Sequence, residues 1–75
     1  MDTQTLTVDQ AAAEWADRIQ TVEQLEAWVR ITEKQVEHCH RVIASGQGLV
    51  RLAKVNLPGY AARLRALEDR RLLVF

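Results

Sequence analysis

Apolar residues recur along most of this chain at steps of three and four, the spacing that gathers side chains on one face of an α-helix, and strand-like alternation is absent. Val8, Ala12, Trp15, Ile19 and Val22 form the first such series. Thr7-Val8-Asp9-Gln10 opens it with a capping box, in which the threonine hydroxyl accepts from a backbone N–H three residues on while the glutamine reaches back. Asp9 and Glu14 suit the positive end of the helix dipole. The pattern predicts a helix over 8–20, preceded by a frayed tail at 1–6.

A second series is more regular. Val22, Leu25, Val29, Thr32, Val36, Cys39 and Ile43 step 3-4-3-4-3-4, the seam of a helix packed along a neighbour. Thr32 is its only polar member. The phase changes at Val22, and a second cap signature, Thr21-Val22-Glu23-Gln24, falls at the same place. A junction is therefore expected there, followed by a helix over 22–45. Thr32-Glu33-Lys34-Gln35 repeats the signature inside the helical pattern, so the motif alone is not diagnostic. Trp28, Ile31 and Val42 lie beside the seam and widen it beyond what one neighbour covers.

After the second helix the pattern admits two readings. Gly46 and Gly48 weaken any helix that passes through them and suit a left-handed helix end. The seam nevertheless keeps phase through Ile43, Gly46, Val50, Ala53 and Leu57, as a continuous helix would. Asn56-Leu57-Pro58-Gly59 reads as a firmer break, because proline removes a donor and restricts the residue before it. Residues 46–59 are thus expected as a turn or short helix. A last helix is expected over 60–72, with Tyr60, Leu64 and Leu67 on one face. The fold class is all-α: a small helical hairpin or three-helix bundle around the long amphipathic helix at 22–45.

Length changes this picture by limiting the core. A single domain of 75 residues buries only about 60% of its unfolded surface and commonly relies on disulfides, metals or oligomerisation. Cys39 is the only cysteine, which excludes an internal disulfide and fits a reducing, cytoplasmic setting. No apolar run approaches the roughly 20 residues of a membrane helix, and the polar, acidic start is unlike a secretory signal. An oligomer or a protein partner is the expected stabiliser.

Charge adds an asymmetry. Residues 1–40 carry eight acids (Asp2, Asp9, Glu14, Asp17, Glu23, Glu26, Glu33, Glu37) against Arg18, Arg30 and Lys34. Residues 41–75 carry seven bases (Arg41, Arg51, Lys54, Arg63, Arg65, Arg70, Arg71) against Glu68 and Asp69. The halves are net −5 and net +5, and the whole is neutral. Either the halves face each other, within or between chains, or the basic half meets an anionic partner.

Candidate chemistry is sparse. His38 and His40 point about 200° apart on a helix and cannot share a metal, and Cys39 between them sits on the apolar seam. Glu37 and His40 form the Glu-x-x-His pairing of di-iron bundles, with Glu33 one turn earlier, but such a site needs a second copy and further carboxylates. Glu14 or Glu26 are the candidates to supply them. No nucleophile, base and oxyanion donors converge, and Gly46-Gln47-Gly48 is no phosphate loop. Neither a cofactor nor enzymatic activity is expected.

The leading expectation is a non-enzymatic protein-interaction module of adaptor, co-chaperone or inhibitor type. Its contact residues would be Trp28, Ile31 and Val42 on the amphipathic helix and Leu72, Leu73, Val74 and Phe75 at the apolar C-terminus, the partner being a second copy, another protein, or both. Trp is enriched where interfaces are strongest, although Trp15, on the seam, fits core packing better. The C-terminal residues either fold back onto the core, which the pattern slightly favours, or enter a partner's groove. The alternative is a small nucleic-acid-binding regulator using Arg63, Arg65, Arg70 and Arg71. A helix following Leu57-Pro58-Gly59 is similar in outline to a helix-turn-helix, but the glycine is misplaced and the helix lacks Asn, Gln, Ser or Thr to read base edges.

Overall fold

A computed structural model of the chain describes the backbone of residues 7–74 and the side chains of residues 7–73. Three helices follow one another: α1 (Val8–Asp17), α2 (Val22–Ser45) and α3 (Val50–Val74). There is no strand among the described residues.

The first two helices begin where their caps direct. Gln10 N donates to Thr7 Oγ1 at 3.0 Å, and Thr7 N donates to Gln10 Oε1 at 2.9 Å, closing the capping box. Thr21 Oγ1 accepts from Gln24 N at 3.1 Å and starts α2. α1 ends at Asp17, three residues before the expected 20, because the chain turns at Arg18 and carries Ile19 into the core. The expected tail at 1–6 lies outside the described residues.

Leu25, Val29, Thr32 and Cys39 of the α2 seam are buried, while Val36 and Ile43 are half-buried. α2 then stops at Gly46, whose φ of 68° and ψ of 14° are left-handed. Ser45 Oγ donates to the Val42 carbonyl at 2.7 Å and accepts from Gln47 N at 3.3 Å, tightening the turn.

The turn is much shorter than the sequence pattern implied. It ends at Leu49, and the expected turn or short helix at 46–59 and helix at 60–72 are replaced by one helix from Val50 to Val74 that contains Pro58. An interior proline costs about 3 kcal/mol through its missing donor and its ring clash. Here Pro58 and Lys54, whose carbonyl loses that donor, are both exposed. Packing along two sides of α3 offsets the cost, since tertiary contacts supply most helical stability in proteins.

Those two sides explain why α3 shows no single apolar stripe. Ala53 and Leu67 are buried and Leu57, Tyr60 and Leu64 half-buried on one face, the face toward α2. Ala62, nine residues beyond Ala53 and so half a turn round, is buried on the opposite face. It and Ala66 lie beside Ala13 and Asp9 of α1. α3 packs on both other helices, whereas α1 and α2 share no close backbone approach. The organising helix is therefore α3, not the 22–45 helix expected from the pattern.

The core is small and lies at one end. Ala16, Ile19, Leu25, Val29 and Leu67 form its buried cluster, with Trp15, Leu64 and Ala66 packed against it. The radius of gyration is 14.1 Å, against about 11 Å for a compact chain of this length. The open shape leaves the turn end of the α2–α3 hairpin uncovered by α1.

Candidate protein-docking groove

At that uncovered end, α2 and α3 border an open groove of about 410 Å3. Its α2 wall carries Ile31 and Val42; its other wall carries Leu49, at the end of the turn, and Leu52 and Tyr60 of α3; Cys39 and Ala53 lie between them. Cys39 and Ala53 are buried, but Ile31, Leu49 and Leu52 remain 45%, 69% and 51% exposed. Polar residues are few: Lys34, Gln35 and His38 on α2 and Asn56 on α3. No carboxylate lines the groove. Exposed apolar side chains gathered in a groove with a polar rim mark interaction sites.

The predicted interface residues divide. Ile31 and Val42 come together in the groove. Trp28, 38% exposed, instead meets Trp15 edge-on, with ring centroids 5.2 Å apart and planes at 82°. This pair bridges α1 and α2, which have no close backbone contact. Leu72 and Leu73 continue α3 and are 83% and 86% exposed. They do not fold back onto the core as the pattern slightly favoured, because α3 stays helical through Val74 and carries them past it. Val74 belongs to that helix, its side chain and all of Phe75 lying outside the described residues.

The α3 wall was missed by sequence reasoning, which gave 46–59 as a turn or short helix. Its signal was present: Leu49, Leu52, Asn56 and Tyr60 step three, four and four. Pro58 masked it.

The arginines proposed for nucleic acid are engaged within the chain. Arg65 Nη2 donates to Asp9 Oδ1 at 2.9 Å. Arg71 binds Glu26 through two nitrogens, Nε donating to Oε1 at 2.8 Å and Nη2 to Oε2. Arg70 approaches Asp17 at 3.5 Å, and its Nη2 donates to the Ile19 carbonyl at 2.6 Å. Arg63 stacks over the Trp15 ring, 5.1 Å from its centroid. Three of the four therefore meet acids of the N-terminal half, which uses the charge asymmetry inside one chain. Elsewhere, Glu37 and His40 are exposed and Glu37 pairs with Arg41 at 3.6 Å. Among the described residues no three metal-binding side chains converge, and no helix is long and apolar enough to cross a membrane. Comparison with family models, with curated proteins and with solved structures returns no match to this chain.

Proposed function

We propose that this chain is a non-enzymatic protein-interaction module that makes contact through the apolar groove between α2 and α3. One observation carries the reading: Ile31, Leu49 and Leu52 stand exposed around a groove whose polar lining is sparse. Burial of such residues stabilises association by about 25 cal/mol per Å2 of apolar surface removed from water. The exposed Leu72 and Leu73 form a second contact point, about 30 Å along α3 from Leu52 at 1.5 Å per residue. Two separated contact points in one small chain suit an adaptor.

Ile31→Asp and Leu52→Asp test the groove. Both side chains are exposed in the single chain, so helix content and the thermal midpoint of the folded monomer should change little. Association, read as solution mass for self-contact and as affinity capture for another protein, should be lost. Association that survives both substitutions would move the contact surface elsewhere. A native chain that associates with neither itself nor another protein would end the reading.

A further inference from the structure

We infer that the groove is closed by a second copy of this chain, with α2 of each protomer lying antiparallel along α2 of the other about a two-fold axis. The inference rests on the groove being the contact surface and names its occupant.

Of the six α2 residues that line the groove, Ile31, Gln35, His38 and Val42 run down its centre, flanked by Lys34 on one side and Cys39 on the other. They step 4-3-4 along the helix and read the same in both directions: apolar, polar, polar, apolar. A two-fold axis between Gln35 and His38 sets Ile31 against Val42 of the partner subunit, and Val42 against Ile31 of the partner subunit. It also sets Gln35 against His38 of the partner subunit at the centre, where an amide and an imidazole can hydrogen-bond. Among these four central positions no apolar residue is left facing a polar one. A two-fold interface requires this self-complementarity, because each patch meets itself; an unrelated partner imposes no such symmetry.

Area supports the same occupant. The chain exposes 5843 Å2, whereas a folded monomer of 8.6 kDa exposes about 4700 Å2 by the usual scaling. That excess, taken over the whole chain, is of the order of the roughly 800 Å2 that each partner contributes to a standard interface. With α2 of the partner seated between α2 and α3, Leu49 and Leu52 meet its apolar face and the aliphatic stem of its lysine. The two hairpins then form a four-helix bundle, whose α1 helices and Leu72–Leu73 ends lie away from the shared centre. Another protein's acidic amphipathic helix is the competing occupant, since Lys34 lines the groove and forms no ion pair among the described residues.

The full chain is tested in two steps. Light scattering of the unmodified protein across a concentration and salt series should give twice the chain mass, persisting at high salt. Ile31→Cys with Val42→Cys, in a Cys39→Ser background, is then oxidised. The two new cysteines are eleven residues apart on one straight helix, about 16 Å, well beyond the roughly 7 Å that a disulfide spans. Bridges must therefore form between chains, and a covalent dimer that goes no further is the expected product. A ladder of larger species would overturn the closed two-fold, and a non-covalent dimer without cross-link would overturn the antiparallel α2 register. A monomer that captures another protein, with capture lost in Leu52→Asp, would overturn the dimer while leaving the docking reading intact. A monomer with no groove-dependent partner would overturn both.

Discussion

Leu25 and Leu67 are both fully buried and belong to one cluster contributed by α2 and α3. Each anchors a core of few residues, so Leu67→Ala should cost about 2–5 kcal/mol, a large part of the stability of a domain this small. Chemical denaturation by circular dichroism would register the loss as a lower midpoint; an unchanged midpoint would place the core elsewhere. The arginines on α3 differ by their surroundings. The Arg65–Asp9 side chains are 62% and 74% exposed, so Arg65→Ala should cost no more than about 1 kcal/mol. The Arg70 side chain is only 22% exposed and its Nη2 serves the Ile19 carbonyl just past the end of α1. Arg70→Ala should cost about 1–3 kcal/mol by leaving that carbonyl short of a partner. Equal midpoints for the two variants would contradict this ordering. The acidic and basic residues were plain in the sequence as two pools of opposite charge. Which arginine meets which acid was not, because pairs 45 to 56 residues apart are set by how α1 and α2 cross α3.

At the scale of elements, glycine and proline carry opposite lessons. Gly46 holds φ at +68° with nothing within 4 Å of an added Cβ, so only backbone strain opposes a side chain there. Gly46→Ala should destabilise by about 1–2 kcal/mol. Gly59 sits inside α3, and an added Cβ there also meets nothing within 4 Å. Gly59→Ala should therefore stabilise by about 0.4–1 kcal/mol. Thermal melts of the two variants should move in opposite directions, and a shared direction would contradict the turn at 46–49 or the helix through 59. The caps and the α2 seam were legible because each depends on residues three or four apart. The start of α3 was not. Pro58 signals a break whenever local rules act alone, and the stripe that would outvote it is divided between two faces, one toward α2 and one toward α1.

For the whole molecule, the flat, open packing leaves apolar surface that a compact bundle would enclose. If the groove carries association, Leu52→Asp should shift the assembly toward the monomer by at least tenfold in dissociation constant, since removing an interface hot spot costs about 2 kcal/mol or more. Sedimentation across a dilution series measures that shift; an unchanged constant would exclude Leu52 from the interface. The same series run in salt separates the apolar contact proposed here from charge-driven contact, which weakens as the ionic strength rises.

Local spacing by itself determined that the chain is helical, that α1 and α2 follow caps at Thr7 and Thr21, and that Leu25, Val29, Thr32 and Cys39 of the seam are buried, because a helix writes its buried face into nearest-turn spacing. Ile31 and Val42 were legible as apolar residues beside that seam for the same reason. Only the tertiary structure decided that α3 runs unbroken from Val50 and sits between the other two helices. It also decided that Trp28 rests on Trp15 and that Leu49 and Leu52 complete a groove with Ile31. Those outcomes depend on how helices cross in space, where the contacts made on two faces of α3 together outweigh the proline within it.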